Sequence, residues 1–154
     1  MSDFSAALGI SQLKKLDRFI EARESIATFY DDFFKGNDLV FTIPISEGKR
    51  SSRHLYPLLL DRSLWCSKED IFTFLKERGI GVQVHYKPIH EFSYYKKLYP
   101  NLSLKNAEDF YRAEISIPLH QGMSSEDAKF VANSVVESLN FAKGGCARDR
   151  KSVV

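Results

Sequence analysis

Long apolar runs are absent from this sequence. None approaches the roughly 18 residues that a membrane-spanning helix needs, which argues against an integral membrane protein. The N-terminus lacks a basic start followed by an apolar core, so no signal peptide is predicted there. Cysteine is scarce: Cys66 and Cys146 are far apart and show no CxxC or zinc-type spacing. The sequence therefore predicts a cytoplasmic protein with reduced thiols.

A strong excess of charge of either sign is also missing. The formal net charge is +2 over 154 residues. Residues 143–154 carry a net charge of +3, so the rest of the chain carries −1. The sequence pI of about 8.5 is therefore a property of the C-terminal end. This balance gives no support for binding to nucleic acid or to a membrane surface, and neither partner is expected.

The common motifs of catalysis and cofactor binding are missing as well. There is no G-x-G-x-x-G stretch or Walker loop. No serine lies in a nucleophile elbow, and no cysteine lies in a local Cys-His signature. What is present is ordinary: 44% of the residues are hydrophobic and 27% are charged. Length and composition together predict one soluble globular domain without a complete catalytic set.

Apolar spacing, capping residues and turn residues predict the secondary structure. Residues 3–35 have a helical apolar period with a break near Lys15 to Asp17, where Asp17 could cap a second helix. Ser67 with Asp70 and Ser124 with Asp127 form S-x-x-D capping boxes. The predicted strands are Leu39–Ile45, His54–Leu60, Ile80–His85 and Ile115–Leu119. The other predicted helices are Ser67–Arg78, Leu104–Ala113 and Ser124–Phe141, with one short helical turn in the aromatic-rich section 91–103.

This order of elements predicts an α+β fold. Short strands and a hairpin-like first pair indicate a small, mainly antiparallel sheet of three or four strands packed against helices, with a long helical segment at the N-terminus. Residues 1–36 are assigned to the N-terminal helices and residues 37–142 to the α+β domain. Residues 143–154 lack apolar periodicity and are expected to be a disordered tail.

The stretch "GVQVHYKPIHEF", residues 81–92, concentrates the chemically versatile side chains. His85 and Tyr86 follow a short β-type run, and His90 follows a lysine-proline pair. The residues alone leave four interpretations open: a metal site, an acid–base pair, a loop that holds a ligand, or plain packing. A third metal ligand at a recognised spacing is missing, so no metal site is expected.

Three motifs in order resemble one known family. They are "MSDFSAALGISQLKKLDRFIEAR", "FLKERGIGVQVHYKPIH" and "AEISIPLHQGMSSEDAKFVANSVVESL". Together they resemble the C-terminal part of the DegT/DnrJ/StrS sugar aminotransferases, which are fold-type-I enzymes that use pyridoxal phosphate. The resemblance spans roughly residues 1 to 141. Within the family, it looks closest to transaminases that make 4-amino-4,6-dideoxy N-acetylhexosamine nucleotides.

The resemblance implies a division of labour between this chain and a cofactor domain that precedes it in the family. That domain supplies the Schiff-base lysine and the cofactor-binding residues, so no catalytic or cofactor-binding residue is expected here, and the chain is expected to be an inactive fragment. His85 and Tyr86 are expected to face the nucleotide-sugar substrate, across the subunit interface of a homodimer. The alternative is a freestanding, non-enzymatic module that binds a sugar nucleotide or a protein partner.

Overall fold

The computed structural model describes residues 1–149, with side chains through residue 143. In chain order the elements are α1 (Asp3–Leu13), α2 (Leu16–Phe34), β1 (Val40–Thr42), β2 (Tyr56–Leu60), α3 (Lys68–Glu77), α4 (Ser93–Leu98), α5 (Lys105–Ala113), β3 (Glu114–Ile117) and α6 (Ser125–Asp149). Short 3-10 helices occupy Arg62–Ser67 and Ile89–Glu91. The α+β class predicted from the sequence is confirmed.

The three strands form an antiparallel sheet in the order β1-β2-β3. Val40 is paired with Leu60, and Leu58 is paired with Ile115. Side chains of β2 alternate between buried and half-buried positions, with Tyr56, Leu58 and Leu60 buried. This period-two pattern turns one face of β2 toward the core.

The core lies between this sheet and the helices α2, α3 and α6. Its members from the helices recur at steps of three, four or seven, which keeps them on one side of each helix. They are Ile26, Ala27, Tyr30 and Phe34 from α2, Ile71 and Leu75 from α3, and Ala128, Val131, Ala132, Val135, Leu139 and Ala142 from α6. Helix α1, in contrast, buries none of its residues. The N-terminal helices predicted as one unit therefore behave differently, since only α2 belongs to the core.

The predicted fourth strand, Ile80–His85, does not form. In its place a single antiparallel bridge joins Gln83 to Ser116. Gln83 and Ser116 exchange two backbone hydrogen bonds, of 3.1 and 2.8 Å. A strand needs consecutive backbone pairs, and this bridge is isolated. The three observed strands are also shorter than predicted, because the ends of the apolar runs extend beyond the paired residues.

Local signals placed most helix ends close to their observed positions. The break between α1 and α2 falls at Lys14 and Lys15, although Lys15 rather than Asp17 occupies the N-cap and makes no side-chain capping bond. Gly36 and Gly79 follow α2 and α3 with φ angles of 77° and 75°, which glycine adopts at helix ends without steric cost. The Ser124 capping box is confirmed: the Ser124 backbone N–H donates to Asp127 Oδ2 at 2.9 Å, and the Asp127 N–H donates to Ser124 Oγ at 3.1 Å.

The Ser67 capping box is wrong. Ser67 is buried, and its hydroxyl donates to the carbonyl oxygen of Ala142 at 3.4 Å instead of capping α3. The chain enters α3 from the 3-10 helix Arg62–Ser67 and needs no side-chain cap there.

The predicted end of the last helix is also wrong. Helix α6 continues past Phe141 to Asp149. The glycines there weaken a helix by about 1 kcal/mol each without ending it. Residues 150–154 of the expected tail lie outside the described residues. Cys66 is disulfide-bonded, so the prediction of reduced thiols fails at that position.

Candidate functional site

Contacts with β3 determine the position of His85. Because Gln83 is paired with Ser116 in an antiparallel bridge, the residue two positions further, His85, lies opposite Glu114. The backbone N–H of His85 donates to the Glu114 carboxylate, to Oε2, at 2.8 Å. Alternation along the extended chain places Gln83 and His85 on one side and Val84 on the other. The bridge therefore anchors the start of the histidine–tyrosine loop to a buried strand.

The His85 side chain is held by the same strand. Its Nδ1 lies 2.8 Å from Ser116 Oγ, and the Ser116 hydroxyl donates to Glu114 Oε1 at 2.6 Å. Glu114 is fully buried, with an exposed fraction of 0%, and Ser116 is buried beside it. Both carboxylate oxygens are thus hydrogen-bonded, as a buried carboxylate requires. The result is a three-residue relay, Glu114–Ser116–His85, that leads from the core to a half-buried imidazole.

Tyr86 is presented differently from its neighbour. Its side chain is 74% exposed, and its ring meets the His85 ring edge to face with centroids 4.7 Å apart. The peptide bond between the two residues is cis. His85 also lines a cavity of about 180 Å³ together with His54, Gln83 and Ser116. The two predicted site residues therefore lie together at the surface, with a phenol and an imidazole available for hydrogen bonds to a ligand.

His90 belongs to a separate arrangement. Its Nε2 lies 3.0 Å from Glu108 Oε1 in the first turn of α5. Glu108 also accepts hydrogen bonds from the Leu104 backbone N–H and the Ser103 hydroxyl. The hydrogen bond with His90, followed by those from Leu104 and Ser103, lowers the pKa of Glu108. His90 therefore fastens the loop to α5 and does not share partners with His85.

No metal centre is built from these residues. Within residues 1–149, the structure brings together no group of three or more histidine, cysteine, aspartate or glutamate side chains that could hold an ion. The His90 ring contacts Glu108 and the His85 ring contacts Ser116, so the metal interpretation receives no support from the geometry.

A second cavity lies beside Val84, on the other side of the 82–84 segment from His85. It has a volume of about 540 Å³, and its wall includes Val84, Trp65, Lys68 and Tyr111. Burial lowers the pKa of the Lys68 ammonium, and the nearby Glu114 carboxylate opposes that shift. The Lys68 Nζ donates to the Tyr111 carbonyl oxygen at 2.7 Å.

A pyridoxal phosphate site needs an available lysine amine and an acidic partner for the ring nitrogen. The surroundings of Lys68 do not fit this requirement. Its amine is hydrogen-bonded to a backbone carbonyl, and the buried carboxylate near it, Glu114, has both oxygens engaged by His85 and Ser116. The cavity around Lys68 is therefore not assigned to this cofactor.

Sequence reasoning missed Glu114 and Ser116. A signal for them was present in "EISI", where polar and apolar residues alternate. Such alternation is typical of a strand with one solvent-exposed face, whereas all four residues of β3 are buried. Two polar residues spaced by two inside a buried strand indicate a polar network within the core.

Helices long and apolar enough to cross a membrane are not found within the described residues.

Comparison with known proteins shows the class to which this fold belongs. Residues 1–136 match the model of the DegT/DnrJ/EryC1/StrS aminotransferase family. The chain belongs to this family.

One particular relative is a UDP-4-amino-4,6-dideoxy-N-acetyl-beta-L-altrosamine transaminase from Campylobacter jejuni, which is 54% identical over 145 residues. The match covers 94% of this chain and 39% of that protein. This chain therefore spans about two-fifths of the length of that relative.

Solved structures agree with this assignment. An aminotransferase of Helicobacter pylori involved in the biosynthesis of pseudoaminic acid matches with a TM-score of 0.83 and 41% identity, over 87% of this chain and 36% of that one. A candidate sugar aminotransferase from Streptococcus pneumoniae, in its PLP form, matches with a TM-score of 0.83 and 29% identity, over 92% of this chain and 36% of that one.

Proposed function

We propose that this chain acts as the C-terminal small domain of a pyridoxal-phosphate-dependent nucleotide-sugar aminotransferase in amino-sugar biosynthesis. In this proposal the substrate is a UDP-linked 4-amino-4,6-dideoxy-N-acetylhexosamine or its keto precursor. The observation that carries the proposal is the 54% identity to the Campylobacter jejuni transaminase over nearly the whole chain. A cytoplasmic location, expected from the sequence, is part of the same proposal.

His85 and Tyr86 are proposed to contact the nucleotide-sugar. Three features support this role: Tyr86 is exposed, the His85 ring is half-buried at a cavity wall, and the relay to Glu114 holds that ring in one place. An imidazole and a phenol can each bond to sugar, base or phosphate oxygens and hydroxyls. Positioned hydrogen-bonding groups of this kind determine orientation and specificity in ligand sites.

The chain is proposed not to catalyse transamination by itself. The reaction requires a lysine nucleophile and the electron-withdrawing cofactor, and the surroundings of Lys68 do not supply them. When bound in the complete enzyme, pyridoxal phosphate accepts and returns the amino group. The residues of this chain would bind and orient the sugar nucleotide beside it.

A homodimer is proposed for the complete enzyme, with part of its interface on α1. Phe4 is 91% exposed, and Leu8, Ile10 and Leu13 of the same helix are also exposed. Large apolar side chains grouped on one helix are typical of a surface that packs against another domain or subunit.

A chimera tests the proposed function. This chain would replace the matching two-fifths of the Campylobacter jejuni relative, and transamination of the UDP-linked amino sugar would be measured. The chimera is expected to be active, whereas the 154-residue chain alone is not. His85→Ala and Tyr86→Ala are expected to raise KM by about tenfold or more, since each removes a hydrogen bond to the substrate.

The controls separate failure to fold from failure to function. His120→Ala alters an exposed histidine that does not line the cavity beside His85, and it is expected to leave KM within about twofold. The visible absorbance of bound cofactor reports whether each chimera is assembled. A well-folded, cofactor-loaded chimera without activity would contradict the proposal. Tight binding of UDP-sugar by the chain alone would instead favour the freestanding module.

A further inference from the structure

We infer that buried Glu114, acting through Ser116, holds neutral His85 as the Nδ1–H tautomer and leaves Nε2 as a hydrogen-bond acceptor for the ligand. Glu114 and Ser116 are then positioning residues that act through His85. The inference about the tautomer is independent of the proposed aminotransferase role. The inference about the ligand group rests on that proposed role.

The direction of each hydrogen bond follows from the inventory of donors and acceptors. The backbone N–H of His85 can only donate, so Glu114 Oε2 is an acceptor. An ionised carboxylate accepts at both oxygens, and the Ser116 hydroxyl therefore donates its proton to Oε1, at 2.6 Å. The Ser116 oxygen is then left as the acceptor for His85 Nδ1 at 2.8 Å, which requires a proton on Nδ1.

The charge state of Glu114 decides the outcome. A protonated Glu114 could donate to Ser116, and the hydroxyl would then donate to Nδ1, which would place the imidazole proton on Nε2. The surroundings of Glu114 match the ionised form: the His85 N–H and the Ser116 hydroxyl engage one carboxylate oxygen each, at 2.8 and 2.6 Å, and an ionised carboxylate accepts at both oxygens.

The tautomer determines which ligand group His85 can bind. Among residues 1–143, whose side chains the structure describes, His85 is hydrogen-bonded through its backbone N–H and Nδ1, and Nε2 has no partner. A neutral Nδ1–H imidazole presents a lone pair there, and this lone pair accepts from a hydroxyl or a ring N–H. A phosphate oxygen needs a donor and would not be satisfied. His85 is therefore assigned to a sugar hydroxyl or a base N–H of the nucleotide-sugar, rather than to its diphosphate.

Nuclear magnetic resonance of the 154-residue chain labelled with 15N-histidine tests the tautomer directly. Long-range 1H–15N correlation spectra distinguish a protonated, pyrrole-like ring nitrogen from a pyridine-like one. The spectra would be recorded at a pH high enough for the His85 signals to stop moving. The wild type is expected to show a pyrrole-like Nδ1 and a pyridine-like Nε2 at His85.

Glu114→Gln gives the sharpest contrast, because it keeps the shape and reverses the relay. The glutamine must use its oxygen for the His85 N–H, so its NH₂ faces Ser116. The hydroxyl then donates to Nδ1, and the proton is expected to move to Nε2. Ser116→Ala removes the relay and is expected to give a mixture of tautomers. Ser116→Thr keeps a hydroxyl and is expected to restore the wild-type pattern.

A matched control loses another buried hydroxyl. Ser138 is fully buried in α6, and its hydroxyl donates to the Val135 carbonyl oxygen at 2.7 Å. Ser138→Ala is expected to leave the His85 signals unchanged. Circular dichroism identifies variants that do not fold. The inference is overturned by an Nε2–H tautomer in the wild type, or by an unchanged His85 pattern in folded Ser116→Ala.

The assignment of the ligand group has its own readout in the chimera. Glu114→Gln is expected to raise KM for the UDP-sugar by about tenfold with kcat nearly unchanged, because it turns the Nε2 acceptor into a donor. An unchanged KM together with a reversed tautomer would overturn the assigned ligand group. Failure of the chimera to transaminate bears on the proposed function and leaves the spectra to decide the tautomer.

Discussion

Helices α1 and α2 both carry large apolar residues three or four positions apart, but only α2 buries such residues in the structure. Helix α2 buries Ile26, Ala27, Tyr30 and Phe34 against the sheet and α6. Helix α1 leaves its apolar residues in solvent, with Phe4 at 91% and Leu8 at 61% exposure. The periodicity of a helix therefore predicts that one face will be covered, but not by what. The apolar residues of α2 pack against this chain's own sheet. For those of α1 we infer that they pack against another domain or subunit.

The largest expected effect comes from a matched pair of leucines. Leu139 in α6 is fully buried in the core, whereas Leu8 in α1 is exposed. Leu139→Ala is expected to lower the free energy of unfolding by about 2–5 kcal/mol, through lost burial and the cavity left behind. Leu8→Ala is expected to change it by less than about 0.5 kcal/mol. Urea denaturation measures both, and equal losses would show that α1 is packed within the chain.

A second pair compares hydroxyl groups. The Tyr56 hydroxyl donates to Asp31 Oδ1 at 2.6 Å, and Arg53 contacts the other oxygen of Asp31 at 2.7 Å. Tyr56→Phe is expected to destabilise the fold by about 1.5–3 kcal/mol, the range for hydrogen bonds to charged groups. Tyr95→Phe, on exposed α4, is expected to stay within about 0.5 kcal/mol. Thermal melting compares the two, and the ordering would be contradicted if Tyr95→Phe cost as much as Tyr56→Phe.

A third prediction concerns self-association through α1. If the exposed apolar residues of α1 form an interface, the chain is expected to associate at high micromolar concentration. Leu8→Gln is then expected to weaken association by about tenfold. The corresponding loss of free energy is close to that gained by burying one leucine side chain. Sedimentation across a dilution series gives the constants, and Lys14→Gln, which changes a polar residue at the end of α1, is the control. A strictly monomeric wild type would contradict the exposed-interface interpretation.

The smallest expected effect is a pH dependence at the His90–Glu108 contact. The hydrogen bond with His90 makes the largest contribution to the lowered pKa of Glu108 in the folded chain. A carboxyl with a lowered folded pKa stabilises the fold above its unfolded value of about 4.3. That contribution is lost as pH falls through the lowered folded value. The difference in melting temperature between wild type and Glu108→Gln is therefore expected to shrink from pH 7 to pH 3. A constant difference would contradict this expectation, and Glu77→Gln is a control.

Most helices could be read from the sequence because their signals are local. Ser124 with Asp127 and the glycines at 36 and 79 act within a few residues of the ends that they define. The family itself was also identifiable, since three quoted motifs occur in the right order. The strand Ile80–His85 was overpredicted because its apolar pattern says nothing about how many partners β3 offers.

The candidate site was only half visible in the sequence. His85 and Tyr86 stood out by residue type and by resemblance, although their contact with a ligand stays a prediction. Glu114 and Ser116 could not be connected to them, because the connection depends on a pairing between segments about thirty residues apart in sequence. Nor could the sequence separate His90 from His85, since their different ring partners, Glu108 and Ser116, are determined by how α5 and β3 pack.

The bridge between Gln83 and Ser116 also fixes the two points at which the segment between His85 and Glu114 leaves the sheet and returns to it. The 28 residues from 86 to 113 leave the sheet beside Glu114 and return directly into it. The entropic free energy of closing a longer loop between the same two points rises by only about 0.6 kcal/mol for each doubling of loop length. A one-residue insertion between Glu114 and Ser116, in contrast, would place these two polar side chains on opposite faces of the strand. Relatives that accept different sugars could therefore vary the length and sequence of residues 86–113 while keeping the hydrogen bonds that position His85.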